Sequence, residues 1–187
     1  MMNTKKITYG AMFITIAILL PQCFHLIGFY SAGQILLPMH IPVLLGGMIL
    51  GPLYGFIIGV ISPIISSLLT GMPDSSRVLF MVGELAGYGL TAGLMYQSLK
   101  MNNRRFGSII SLIVSLVVGR LGYLAMACFG TYILGIEMGG YLAVFHALVL
   151  GMPGIVVQLL FVPMLVHLLE KGGYFHEFRR IEKVSKR

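Results

Sequence analysis

Charged residues are scarce in this chain of 187 residues: they make up 10% of it, against 57% for hydrophobic residues. A soluble domain carries about 25% charged residues. The scarcity is uneven, because residues 7–73 contain no Lys, Arg, Asp or Glu at all, and residues 106–169 contain only Arg120 and Glu137. Apolar runs of this length are typical of membrane spans. They exclude a soluble enzyme, a nucleic-acid-binding domain and a disordered chain.

Motifs for catalysis and nucleotide binding are also missing. The chain contains no Gly-x-Ser-x-Gly, no His-Glu-x-x-His, no pair of aspartates within a span and no phosphate-binding G-x-x-x-x-G-K-[ST] loop. The two cysteines, Cys23 and Cys128, lie in separate apolar stretches without a C-x-x-C pattern, so we interpret them as small hydrophobic residues. We therefore expect no catalytic residue, no metal site and no ATP hydrolysis by this chain. Any energy source would be an ion gradient or another subunit.

Six stretches are apolar enough to cross a bilayer, for which about 20 residues are needed. They cover about residues 7–26, 34–50, 53–69, 78–96, 108–129 and 151–169. Residues 141–169 are too many for one span, so we assign residues 141–150 to a short interfacial or re-entrant helix, with a seventh span as the alternative. The sequence predicts an all-α polytopic membrane protein, a single domain over residues 1–187 with six transmembrane helices and a short interfacial helix before the sixth.

The basic residues predict the orientation of these spans. Eleven of the 13 fall on one side of a six-span topology: Lys5, Lys6, Lys100, Arg104, Arg105, Lys171, Arg179, Arg180, Lys183, Lys186 and Arg187. Because basic residues favour the cytoplasmic side, both termini are expected in the cytoplasm of a multi-pass protein of the cell membrane. Residues 171–187 then form a basic cytoplasmic tail that rests on anionic headgroups.

Two ionisable side chains stand inside the predicted spans, Glu84 and Arg120. Such a residue costs at least ~2.5 kcal/mol on insertion scales and is a functional candidate by default. Counting ~1.5 Å per residue, both lie roughly 10 Å below the outer ends of their spans, so they can meet. One interpretation is a structural ion pair that ties two helices together. The other is that one or both contact a ligand while the partner holds the geometry.

Further polar residues gather in the same outer half of the bilayer. Tyr88 and Tyr123 lie one turn from Glu84 and Arg120 on their respective helix faces. The remaining candidates are Gln158 in the sixth span, His40 between two prolines of the second, and His25 and His146 near the outer boundary. The cytoplasmic halves are almost wholly apolar, which favours a substrate-binding pocket open to the outside over a continuous pore. We expect the loops at residues 28–33, 70–77 and 135–150 to close it.

Several segments resemble the substrate-binding S-components of energy-coupling factor (ECF) vitamin transporters. The segment LPMHIPVLLGG at residues 37–47, followed by LGP at 50–52 and YG at 54–55, resembles their second and third helices. Further matches are SP at 62–63, LTGMP at 69–73, Glu84 with YG at 88–89, GR at 119–120, and GMPGI with QL in the sixth span. The resemblance extends from end to end of the chain.

This resemblance implies a subunit that captures a vitamin or related micronutrient at its outer face. It would associate with a transmembrane coupling subunit and two cytosolic ATPases, which use the ATP, and topple in the bilayer to release its ligand inside; no cofactor is expected on this chain. The family docks through a small-residue A-x-x-x-A face on the first helix. The matching stretch here is Ala11 to Thr15, with Gly10 beside it, a small-xxx-small pattern that lets helices approach closely.

The ligand is less well defined than the class. The nearest branch is that of pantothenate S-components, and Arg120 could pair with the carboxylate of pantothenate, although Glu84 beside it could already neutralise that charge. The lack of Trp disfavours a site that stacks a large flat ring. Cobalamin, folate, a pyridoxine-like vitamin and queuosine remain alternatives. Outside this class stand a structural membrane protein with Glu84–Arg120 as a helix clamp, and an ion-coupled carrier that works alone.

Overall fold

The computed structural model describes residues 4–26, 28, 35–103, 106–133, 135, 145 and 149–173. This described part is all-helical, with six α-helices and no strand. The helices are α1 (Thr4–Leu26), α2 (His40–Leu50), α3 (Pro52–Thr70), α4 (Ser75–Gly93), α5 (Gly107–Tyr132) and α6 (Met152–Lys171). A π-helical turn, Leu94–Ser98, extends α4, and a 3₁₀ turn, Met101–Asn103, follows it.

Five of the helices are long and apolar enough to cross a membrane. These candidate spans are Thr4–Phe24, Pro52–Thr70, Arg77–Ser98, Gly107–Tyr132 and Met152–Lys171. The sixth helix, α2, has 11 residues and is therefore only about 16 Å long, against a hydrocarbon core of about 30 Å. The prediction of an all-α protein with several apolar spans is confirmed. The second predicted span corresponds to a shorter helix than expected.

The start of α2 differs from the predicted start at residue 34, and proline explains the difference. The residue before a proline is pushed out of the right-handed helical region, and Leu37, which precedes Pro38, has φ 50°. The helix begins only at His40, so this histidine lies at the helix end rather than in the middle of a span. Pro42 is the third residue of α2, within the first turn, where a missing N–H breaks no intrahelical bond.

Helix α2 lies at the centre of the bundle. It packs against α1, α3, α4 and α6, while α4 also contacts α3 and α5, and α6 also contacts α5. All residues of α2 except Ile41 are buried. A helix that is apolar on every side is typical of such a buried position. The sequence HIPVLLGGMIL therefore specifies the core of the bundle.

Three glycines let α2, α3 and α4 approach one another closely. A Cβ atom on Gly55 would lie 2.2 Å from the carbonyl oxygen of Gly89 and 2.7 Å from the Cα of Gly47. A Cβ atom on Gly47 would lie 2.3 Å from the same oxygen. Backbone contact of this kind replaces side-chain packing between membrane helices. It fixes the depth at which the polar residues of α2 and α4 face each other.

The C-terminal end of α2 is held by side chains from other elements. The last carbonyls of a helix lack intrahelical partners, and the Nε2 of Gln97 donates to the carbonyl oxygens of Met48 (2.9 Å) and Ile49 (2.6 Å). The Nζ of Lys6 donates to the carbonyl oxygen of Leu50 at 3.3 Å. These bonds tie α1 and the π-helical turn to the end of α2 opposite His40.

Two predicted features lie wholly or largely outside the described residues. Of the interfacial helix expected at 141–150, the structure describes residues 145, 149 and 150, which are helical. Of the basic tail expected at 171–187, it describes residues 171–173.

Candidate functional site

An ion pair between α4 and α5 forms the centre of the candidate site. The Nη1 of Arg120 lies 2.7 Å from the Oε1 of Glu84, with side-chain exposures of 15% and 4%. The two helices run antiparallel, and Gly83 and Gly122 bring their backbones together beside the pair. The matching depths expected from the sequence are therefore present, and the two charges meet inside the bundle.

Two further polar side chains converge on the same carboxylate oxygen. The hydroxyl of Tyr88, one turn after Glu84, donates a hydrogen bond of 3.0 Å to Oε1. The Nε2 of His40 lies 3.7 Å from Oε1, too far for a hydrogen bond. The imidazole meets the ring of Tyr88 edge-on, with 5.2 Å between centroids. Residues of α2, α4 and α5 thus form one buried polar cluster.

Gly119 shapes this cluster although its side chain is only a hydrogen atom. A Cβ atom at this position would lie 2.2 Å from the Cδ1 and Cε1 atoms of Tyr88 and 2.8 Å from its Cγ. The phenol ring therefore fills the space that glycine leaves on α5, directly beside Arg120. From the sequence, Gly119 was recognised only as part of the GR motif at residues 119–120. Its position next to Arg120 and its lack of a side chain are the features that could have predicted its role.

Gln158, the candidate residue of α6, lies on a face of this helix that packs inside the bundle. The Cα of Gly154 packs against the chain at Ile35 and Leu36, since a Cβ there would lie 2.7 Å from the carbonyl oxygen of Ile35. One turn further, on the same face of α6, comes Gln158, and α6 packs against α2. Gln158 is fully buried, with 0% exposure.

Several polar atoms of the cluster have no hydrogen-bond partner among the described residues. They are both ring nitrogens of His40, the Nε and Nη2 of Arg120, and both amide atoms of Gln158. Buried polar groups are nearly always paired in folded proteins, and unpaired ones need an explanation. They come from three helices, and those of His40 and Arg120 lie beside the ion pair, an arrangement suited to a polar ligand.

The remaining candidate site residues are Tyr123, which lies within electrostatic reach of Glu84 and Arg120, and two histidines. The ring of Tyr123 packs against Phe80, with 5.9 Å between centroids, and is half-buried. His25 belongs to α1, but its side chain is not described. His146 lies outside the described residues. No group of three or more metal-ligating side chains is present in the part of the chain that the structure describes.

The loop after α3 is shaped by two serines that the sequence reasoning did not single out. The Oγ of Ser66 donates to the carbonyl oxygen of Met72 and the Oγ of Ser67 to that of Pro73, each at 2.7 Å. Gly71 ends the helix with φ 70°. These bonds fold the segment at 70–77, one of the three loops expected to close the site, back onto the end of α3.

The residues predicted to dock a partner helix divide between two faces of α1. Ala11 and Thr15 are exposed, and the Oγ1 of Thr15 donates to the carbonyl oxygen of Ala11 at 2.9 Å. Gly10 is buried, and a Cβ atom there would lie 3.8 Å from Tyr54 and 4.0 Å from Leu50. The inward face of α1 at Gly10 therefore packs within the bundle, and Ala11 and Thr15 belong to the outward face.

Fold and site together define a polytopic helical membrane protein with a buried polar cluster between its helices. A family model described as "ECF transporter, substrate-specific component" matches residues 5–166. The chain belongs to this family, and is thus the membrane-embedded substrate-specific subunit of an ECF transporter, a transporter component rather than an enzyme. Such a subunit works with the coupling subunit and ATPases of its transporter. No curated protein and no solved structure matches the chain.

Proposed function

We propose that this subunit captures a vitamin or related micronutrient in the cluster formed by His40, Glu84, Tyr88, Arg120 and Gln158. The observation that carries the proposal is the set of unpaired polar atoms around the Glu84–Arg120 pair. An ion pair that served only to clamp two helices would not require unpaired groups on α2 and α6 as well. A ligand with several hydrogen-bonding groups would satisfy them.

Pantothenate is the first choice of ligand. It carries a carboxylate for Arg120 together with hydroxyl and amide groups for His40 and Gln158, and it has no ring. The chain contains no Trp, which disfavours folate and other ligands that require stacking on a large aromatic surface. Cobalamin, folate, a pyridoxine-like vitamin and queuosine are the alternatives within the same function.

The ligand would enter from the outer face of the membrane, with both termini in the cytoplasm. The distribution of basic residues supports this orientation. It places the segment at 70–77 outside, and the sites of the Lys6 and Gln97 hydrogen bonds at the cytoplasmic end. His25 and His146, near the outer boundary, remain proposed contacts of the entering ligand.

Mass spectrometry of small molecules that co-purify with the detergent-solubilised protein tests the proposal. We expect a bound micronutrient, and we expect the same compound to raise the thermal unfolding midpoint of protein from which it has been removed. A protein that yields no such molecule and that no vitamin stabilises would contradict the capture function and favour a structural role.

Two variants then separate a ligand contact from a helix clamp. Arg120→Met should abolish ligand binding in either case, but it also leaves the buried carboxylate of Glu84 without its cation, which is strongly destabilising. The double variant Glu84→Gln, Arg120→Met removes both charges and should fold. If Arg120 contacts the ligand, the folded double variant does not bind; normal binding by it would remove Arg120 from the ligand site.

A further inference from the structure

The guanidinium of Arg120 is only partly used by the protein. Glu84 takes one nitrogen, Nη1, at 2.7 Å. The other two nitrogens, Nε and Nη2, are buried and have no partner among the described residues. Within the planar guanidinium, the Nε–H and one N–H of Nη2 lie along the same edge. These two N–H groups therefore point in parallel directions. Glu84 thus contacts one end of the guanidinium. The edge formed by Nε and Nη2, which can donate two parallel hydrogen bonds, has no partner among the described residues.

An edge of two parallel N–H donors matches the two oxygens of a carboxylate. We infer, on the basis of the proposed function, that the ligand presents a carboxylate to the Nε–Nη2 edge of Arg120, and that Glu84 is a positioning residue which holds the guanidinium without contacting the ligand. Arg120 then takes part in both the ion pair and the ligand site. Glu84 offsets the positive charge of Arg120 without pairing with the Nε and Nη2 donors.

The contacts of Glu84 support this division of roles. Its Oε1 already receives Nη1 of Arg120 and the hydroxyl of Tyr88, with the imidazole of His40 3.7 Å away. The carboxylate is surrounded by protein groups from three helices and is 3% exposed. A ligand therefore meets the groups around Glu84, among which Arg120 and His40 carry unpaired donors.

Those donors also stabilise the negative charge that a ligand carboxylate would bring into the cluster. Glu84 and Arg120 cancel, so a second carboxylate brings an uncompensated negative charge into the cluster, which is costly unless it is hydrogen-bonded. The Nε2 amide of Gln158 and the N–H of the His40 ring are both unpaired and buried. Together with the two N–H groups of Arg120 they offer several donors to a bound anion.

Binding of two matched probes, pantothenate and its alcohol analogue panthenol, tests the inference. The two compounds differ only in a carboxylate replaced by CH₂OH. Calorimetry on the wild-type protein in nanodiscs should give at least about tenfold tighter binding of pantothenate, a difference of ~1.4 kcal/mol. Arg120→Lys retains the charge but loses the two-donor edge, and should reduce the preference to less than about threefold. Glu84→Gln, which loosens the hold on the guanidinium but keeps its two-donor edge, should reduce the preference less than Arg120→Lys does. Gln22→Met, outside the cluster, is the control and should retain the preference.

Each outcome decides between the inference and the proposed function. Equal binding of both probes by the wild type overturns the carboxylate contact but leaves capture of a micronutrient standing, as does a co-purified micronutrient that lacks a carboxylate. If the co-purified compound is another carboxylate, that compound and its primary amide replace the two probes. An undiminished preference in Arg120→Lys shows that the two-donor edge does not hold the carboxylate and overturns the inference, whatever Glu84→Gln does. If no compound co-purifies and none binds, the proposed function fails. The wild-type comparison decides even if Arg120→Lys does not fold.

Discussion

Glu84 is the residue on which the polar interior depends. A carboxylate inside a membrane bundle costs on the order of 2.5–3.5 kcal/mol on insertion scales. Here one oxygen of that carboxylate contacts Arg120 and Tyr88 directly and lies near His40. The charge of Glu84 is therefore compensated within the protein. Nitrogens of Arg120, His40 and Gln158, and the amide oxygen of Gln158, remain without a partner among the described residues.

Tyr88 can hold its position only because Gly119 faces it. Gly119→Ala would place a Cβ atom 2.2 Å from the ring, so the ring must move away from Glu84. We expect a lower unfolding midpoint, with a loss of about 1–3 kcal/mol typical of overpacking, and weaker ligand binding. Thermal unfolding and calorimetry in the same detergent measure both.

The matched control for this substitution is Gly10→Ala. Gly10 is also a buried helical glycine, but its Cβ would meet Tyr54 and Leu50 at ordinary contact distances of 3.8 and 4.0 Å. This variant should unfold and bind as the wild type does. Equal stability of the two variants would show that the contact between Gly119 and Tyr88 does not constrain the ring.

Among the elements, α2 links the two ends of the bundle. Its first residue, His40, belongs to the polar cluster, and its last carbonyls accept hydrogen bonds from Gln97 and Lys6. It is short, buried and in contact with four other helices. Short or interrupted helices in transporters commonly carry the binding site, because their ends expose polar groups inside the membrane. The His40 end of α2 is of this kind, because both ring nitrogens of His40 are buried without a partner among the described residues.

Gln97→Met should destabilise the protein by removing the partner of two α2 carbonyls. Hydrogen bonds between membrane helices contribute about 0.6–1.7 kcal/mol, so we expect a loss of ~1 kcal/mol in unfolding measured by SDS titration. The control is Gln22→Met, because the Nε2 of Gln22 is buried and has no partner among the described residues. A Gln97 variant as stable as the Gln22 variant would mean that the end of α2 needs no side-chain partner.

At the scale of the whole molecule, the bundle surrounds a polar cluster but contains no motif for nucleotide binding. The family supplies the missing function through partner subunits. The outward face of α1 carries small and apolar side chains, among them Ala11, Met12 (53% exposed) and Ile16 (43%). This is the face on which we place the contact with the coupling subunit.

Topology is tested by single cysteines in a background with Cys23→Ala and Cys128→Ala. A cysteine at the exposed position 74 should react with a membrane-impermeant maleimide in intact cells, and one at the exposed position 100 only after the membrane is opened. The basic residues around position 100 are the physical reason. Labelling of both positions from the same side would contradict an odd number of crossings between them.

Ala11→Trp should weaken co-purification with the coupling subunit, because a bulky side chain prevents close approach of a partner helix. Ligand binding by the isolated subunit should be unchanged, since Ala11 points away from the bundle. Leu160→Trp, at a position on α6 that is 67% exposed, is the control and should co-purify normally. Similar yields of complex from both variants would place the docking face elsewhere.

The sequence by itself determined the class of protein and most of the candidate residues. Scarcity of charge and the length of apolar runs are properties of composition, and burial in lipid is their direct consequence. Glu84 and Arg120 could be recognised because ionisable residues inside a span are rare. Their equal depth followed from counting residues along two straight helices, for which the rise per residue is constant.

Only the tertiary structure decided which of these groups meet. That His40 and Tyr88 join Glu84, that Tyr123 packs on Phe80 instead, and that Gly119 seats the Tyr88 ring all depend on how helices are rotated and spaced. Glycine contacts between backbones set that spacing, and such contacts join residues far apart in sequence. The burial of Gly10 has the same origin, because the buried face of a helix is fixed by what packs against it.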